Sequence, residues 1–223
     1  MTPEQQHPGA PGFYGKLACR GDFVSRGLPQ SFIQPWDQWL AAGLLASQEQ
    51  LGSAWLETYL VSPLWRFALA PGVCGAQAVA GVLMPSIDRV GRYFPLTVAV
   101  TLAPHESLSA WLQADGWFEQ AEALMLDSLQ AEASFADFEA RLQGLPAPQG
   151  APWIASQVDA SLQRFAATDP QARMAALAEH TCIGSSLWWG RGGEHIQPGL
   201  WRCPGLPAAS DFARALLGKE GRA

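Results

Sequence analysis

"MPSIDRVGRYFPLTVAV", residues 84–100, is the stretch on which the fold turns. One apolar run closes at Met84 and another opens near Phe94. Between them stand Asp88, Arg89 and Arg92, with Ser86, Gly91 and the prolines 85 and 95. Short apolar runs bounded by proline and glycine read as buried strands. The charged knot is then the connection between two strands, at one end of a sheet.

Working outward, "LWRFALAPG" (64–72), "AQAVAGVLMPS" (76–86) and "RYFPLTVAVTLAP" (92–104) share this punctuation. Parts of them are continuously apolar, the pattern of strands covered on both faces. "GFYGKLAC" (12–19) predicts a further strand, followed by a turn at "RGD". In "LPQSFIQPWDQWLAAGLLASQEQL" (28–51), Phe32, Trp36, Trp39, Leu40 and Leu44 fall at helical spacing, which predicts an amphipathic helix with Pro35 in its first turn. "GSAWLETYLVSP" (52–63) reads as a shorter helix.

Residues 106–143 return to helix, with an acidic surface and an apolar face of Leu108, Trp111, Leu112, Phe118, Leu124, Leu126 and Leu129. "GLPAPQGAP" (144–152) is the best linker signal, and helices are expected near 153–166 and 170–179. "CIGSSLWWGRGGEHIQPGLW" (182–201) predicts a hairpin, and "AASDFARALLG" (208–218) a closing helix. This order of elements predicts an α/β (α+β) fold. It is a three-layer α/β/α sandwich with a mixed, largely antiparallel sheet. Residues 1–11 read as a disordered tail, and 12–223 as a single domain.

Composition narrows the function. Charged residues are 15% of the 223, against a typical ~25%, and there are ten tryptophans. That predicts a well-filled interior and an apolar contact surface. A net charge of −6 argues against nucleic-acid binding. Only Lys16 and Lys219 among the fourteen basic residues are lysines, so arginine supplies the planar, bidentate donors. Cys19, Cys74, Cys182 and Cys203 form no CxxC pair, and His7, His105, His180 and His195 show no i,i+3 or i,i+4 pairing. No metal and no cofactor is expected. Neither a signal peptide nor a run long enough to span a bilayer is evident, so a cytoplasmic protein with free thiols and no membrane insertion is expected.

"GFYGKLA" has a Gly-Lys but not the remaining glycine and hydroxyl of a phosphate-binding loop, and GxSxG, HExxH and GxGxxG are absent. A Cys182–His180 nucleophile pair is conceivable beside the commoner reading of a buried cysteine. The 84–92 knot reads in two ways. Ser86, Asp88, Arg89 and Arg92 form either a capped turn with a satisfied ion pair or a polar site in which Arg89 and Arg92 clamp an anion. "CRGDFVSRGLP" (19–29) is a second such knot, with Arg20, Asp22 and Arg26. In "SSLWW" (185–189), Trp188 and Trp189 must face opposite sides of a strand, so one enters the core and the other lies on the second face, either under a helix or exposed as a contact.

Four stretches together resemble the type VI secretion-associated TagF/ImpM family. They are "GFYGKLACRGDFVSRGLPQSFIQPWDQWL", "SPLWRFALAPG", "GVLMPSIDRVGRYFPLTVA" and "SSLWWG", in order from residue 12 to residue 190. The family's Gly-Lys-x-Pro is broken here by Ala18. The resemblance implies an α/β/α sandwich and a non-enzymatic cytosolic accessory protein of a bacterial secretion machine. It would be a post-translational regulator, typically a repressor, whose partner is a forkhead-associated-domain scaffold protein in a kinase/phosphatase pathway. The family brings no catalytic residues, and the chain is expected to lack the phosphatase domain fused to some relatives. The expected contact residues are Arg20, Asp22, Arg26, Ser86, Asp88, Arg89, Arg92, Trp188 and Trp189. The rival reading is a small-ligand or phosphoryl-binding enzyme, with Asp22 or Asp88 as base and Arg89 and Arg92 as clamps.

Overall fold

The computed structural model describes residues 9–104, 106–146, 167, 169–193 and 196–218. Its strands are β1 (Pro11–Gly15), β2 (Val24–Arg26), β3 (Trp65–Leu69), β4 (Val79–Met84), β5 (Leu96–Thr101), β6 (Ser185–Gly190) and β7 (Gly199–Pro204). Its helices are α1 (Gln30–Leu51), α2 (Trp55–Leu60), α3 (Leu108–Trp111), α4 (Asp115–Asp127), α5 (Phe135–Gln143), α6 (Pro170–Cys182) and α7 (Phe212–Leu217). The strands form one sheet in the order β2-β1-β5-β4-β3-β6-β7. Every ladder is antiparallel. Among the described residues, parallel pairing is confined to the isolated Ser185–Gly205 bridge.

Strand alternation decides which helices cover which face. Trp65, Phe67, Leu69, Val79, Leu83, Ala99 and Trp188 point to one side, where they meet Phe32, Trp36, Trp39 and Leu40 of α1, Tyr59 of α2 and Phe212 and Leu216 of α7. Ala68, Ala80, Val82, Met84, Val98, Val100 and Leu187 point to the other, against Leu108, Trp111, Phe118, Leu124 and Phe138 of α3, α4 and α5. Both faces are covered, so β3, β4 and β5 are buried along their whole length. The α/β/α sandwich expected from sequence is therefore present.

The face under α1 is built from aromatic rings. Trp36 stacks between Phe32 and Phe67, and lies nearly parallel to Trp188 at 6.1 Å and 5°. Burying an indole requires a partner for its N–H. Trp36 finds it in Thr97 Oγ1 at 2.9 Å, Trp39 in the Pro207 carbonyl at 2.8 Å, and Trp188 in Ser186 Oγ at 2.8 Å. Gly43 of α1 lets α7 close in, since a Cβ there would meet the Phe212 ring at 2.2 Å.

Three local expectations change. Helix α1 begins at Gln30 after Pro29, so Pro35 lies in the second turn and the Ser31 carbonyl loses its helical donor. The helical stretch 106–143 divides into α3, α4 and α5, the last capped by Ser134 Oγ accepting from the Asp137 N–H at 3.1 Å. At the N-terminus, Gly9 donates to the Thr101 carbonyl and Pro11 already pairs with Val100, inside the stretch read as tail. Residues 1–8, most of the 144–152 linker and the helix expected at 153–166 lie outside the described residues.

Candidate functional site

The charged knot sits where β4 hands over to β5, beside the end of β1. Asp88 is buried, 3% exposed, and its carboxylate closes the loop around itself. One oxygen accepts from the Val90 and Arg92 backbone N–H groups at 3.0 and 2.9 Å. The other accepts from Lys16 Nζ at 2.6 Å and Arg92 Nε at 2.7 Å. Asp88 N–H donates back to the Arg92 carbonyl, and Ile87 bridges Tyr93. Burial pushes the carboxyl pKa up, but donors from Lys16, from the backbone and side chain of Arg92, and from Val90 outweigh it and hold it well below the usual carboxylate range. Asp88 is therefore a structural anion, with every strong acceptor site taken and little basicity.

Ser86 is buried beside it. Its hydroxyl donates to the Lys16 carbonyl at 2.7 Å, and its backbone N–H and carbonyl both bond Tyr59 Oη at 2.9 Å. Tyr59 thus fastens α2 to this end of the sheet.

The second polar knot packs onto the first. Arg89 N–H donates to the Arg20 carbonyl at 2.8 Å. The Arg92 guanidinium donates to the Gly21 carbonyl and lies 3.7 Å from Asp22. Arg20, Asp22, Asp88, Arg89 and Arg92, separated by nearly seventy positions, form one rim. Lys16 and Phe23 complete it. The Phe23 ring stacks on Tyr14 at 5.9 Å, meets Phe94 edge-on at 4.9 Å, and has Lys16 Nζ 5.1 Å from its centroid. It is still 50% exposed, and Val90, in the other loop of the rim, is 64% exposed.

A model of the TagF N-terminal domain, type VI secretion system-associated, matches residues 12–145, which include both knots. The chain belongs to the TagF family. It is similar to the crystal structure of PA0076 from Pseudomonas aeruginosa PAO1, with 55% identity over 96% of this chain and 97% of that one, at a TM-score of 0.89. No curated protein matches it. As a TagF-family chain it is type VI secretion-associated, and no helix among its described residues is long and apolar enough to cross a membrane.

Other candidate residues of this TagF-family chain lie apart from the rim's open surface. Trp188, a candidate contact residue, is 1% exposed and sits among Trp36, Trp39 and Phe67. Trp189, on the opposite side of β6, is half-buried edge-on against Phe118 at 5.1 Å. One indole enters the core and the other lies under a helix, as one of the two sequence alternatives had it; the contact role expected for them is corrected, because helices cover both faces of the sheet, and at the rim Phe23 is the exposed ring. Arg26 turns toward α5, 3.4 Å from Glu139. At Ala18, where the family pattern has proline, the strand exit is closed by the Arg20 N–H donating to the Leu17 carbonyl at 2.9 Å.

The remaining chemistry is sparse. Burial, with Glu179 nearby, pushes the Cys182 thiol up to about 11, the opposite of what a nucleophile needs. The four cysteines are free. Among the described residues no group of three His, Cys, Asp or Glu could hold a metal ion; His7, His105 and His195 lie outside them.

One ion cluster was not legible in the sequence. Arg66 of β3 is buried, with Nε and Nη2 at 2.6 and 3.1 Å from the two oxygens of Glu122. Its Nη1 reaches Asp115 at 2.6 Å, and its head lies 5.4 Å from the Phe118 ring centroid. This bidentate pair clamps α4 to the sheet. The only sequence signal was an arginine inside an otherwise apolar strand.

Proposed function

We propose that this chain is a non-enzymatic, cytoplasmic accessory protein of the type VI secretion system. It acts after translation, as a repressor, by holding a forkhead-associated-domain scaffold component at the Arg20–Arg89 rim. One observation carries the reading. The residues that match the TagF model include both loops of the rim, and the rim presents arginine donors and a fixed aromatic ring to solvent. The enzyme alternative is weaker at Asp88, whose oxygens are occupied and whose basicity is low.

The test is co-purification of the scaffold from cells with an active secretion system. The wild-type chain is expected to retain it, and Arg20→Glu/Arg89→Glu to lose it while keeping the wild-type Tm. Equal retention by both would remove the rim from the contact. Phosphoester turnover that disappears in Asp22→Asn would replace the binding reading with an enzymatic one.

A further inference from the structure

We propose that the rim receives an acidic segment of a partner protein, with an apolar side chain seated on Phe23 and Val90 and flanking carboxylates on Arg20 and Arg89. The proposal rests on the rim being a contact surface, and it adds the chemistry of the segment that fits there.

Charge is the first support. The chain carries −6 overall, yet this rim concentrates Arg20, Arg89 and Arg92 against one exposed acid, Asp22. Asp88 does not offset them outward, because its carboxylate is buried and bound to Lys16 and Arg92. The arginines differ in what they have left to give. Arg92 is committed to Asp88, Gly21 and Asp22. Arg20 holds its guanidinium Cζ over the Phe135 ring, 4.3 Å from the centroid, a contact that takes no hydrogen-bond acceptor. Among the described residues no acceptor takes a side-chain hydrogen bond from Arg20 or Arg89. An Arg89 Nη lies 3.9 Å from where a Cβ of residue 21 would stand, which places its head beside Gly21 of the other loop.

Pre-organisation is the second support. The Arg89 N–H to Arg20 carbonyl bond staples the two loops, so both guanidinium groups ride on one unit. Phe23 is fixed by Tyr14 and Phe94 before any partner arrives, so little ordering cost remains at binding. An apolar centre rimmed by fork-shaped donors fits a hydrophobic residue followed by carboxylates.

The experiment uses the full chain and three synthetic peptides of equal length: leucine flanked by glutamates, leucine flanked by lysines, and serine flanked by glutamates. Binding is read by NMR titration of backbone and arginine Nε signals. The leucine–glutamate peptide is expected to shift Arg20, Phe23, Arg89 and Val90 saturably and to weaken in about 0.5 M salt. Arg20→Glu/Arg89→Glu is expected to weaken it about tenfold or more, and Phe23→Ser likewise. Shifts confined to other residues, equal shifts with the lysine peptide, an unchanged affinity in the double variant, or the same signal from inorganic phosphate alone would overturn the proposal. Scaffold capture that survives Arg20→Glu/Arg89→Glu alongside peptide binding that does not would count against the rim as the scaffold site only. Scaffold capture lost in that variant, without peptide binding by the wild type, would count against the acidic segment only.

Discussion

The Asp88 knot and the Arg66 cluster are both buried ion networks, but they hold different things together. Asp88 gathers two backbone N–H groups of its own loop, and only then two cations. It sets the shape of a surface and leaves Arg20 and Arg89 facing outward. Arg66 has no backbone partner among its hydrogen bonds; side chains of Asp115 and Glu122, on one helix, satisfy it. Its Arg66 and Glu122 charges are buried and only Asp115 reaches the surface, and its effect is to fix α4 over β3. A buried ion that organises its own loop can frame a recognition surface. One that ties a helix to a sheet acts only as a clamp.

The largest effect expected from this contrast is at Glu122. Glu122→Ala leaves the Arg66 guanidinium buried without its bidentate partner, at a cost of about 3–5 kcal/mol in urea unfolding. The double change Arg66→Met/Glu122→Leu should recover most of that loss. A double variant as unstable as Glu122→Ala would mean that the pair does more than neutralise itself. Asp88→Asn keeps one acceptor for the loop N–H groups but sets an amide NH2 against the buried Lys16 ammonium, so it should lower Tm at neutral pH by an amount comparable to Glu122→Ala. A wild-type Tm would show that the carboxylate charge is not needed to hold the loop.

Acid provides a third, graded test. The folded Asp88 pKa lies below that of an unfolded aspartate, about 3.9. Its contribution is therefore fully present above about pH 4 and falls as pH falls below that, where the unfolded chain takes up the proton first. Wild-type stability should drop more steeply below pH 4 than that of Asp88→Asn. Parallel curves would show that Asp88 titrates normally. The smallest effect is expected at Arg191, an exposed partner of Glu119 at 2.9 Å. Arg191→Ala should cost no more than about 1 kcal/mol.

The sequence revealed these features unequally, for physical reasons. Strands β3, β4 and β5 were legible because continuous apolar runs between prolines have few other uses. The knot at 84–92 was legible because its charges are dense along the chain. What joins it to residues 16–23 was not, since Lys16 and Asp88 are 72 positions apart and only the antiparallel β1–β5 pairing brings them together. The Arg66 clamp failed to appear for the same reason. The tryptophans were legible in part: alternation placed Trp188 and Trp189 on opposite faces, but nothing in a strand pattern says whether the second face is roofed. Phe23, in a turn full of glycine and charge, carried no sign that Tyr14 and Phe94 would hold it in place.

The contact between Gly43 and the Phe212 ring has a consequence for biosynthesis. The indole layer on α1 receives its lid from residues that leave the ribosome more than a hundred and fifty positions later. Until then the nascent chain carries Trp39 without the ring that later covers it. Translation of this chain thus leaves the Trp39 indole without its Phe212 cover until the last helix has been synthesised.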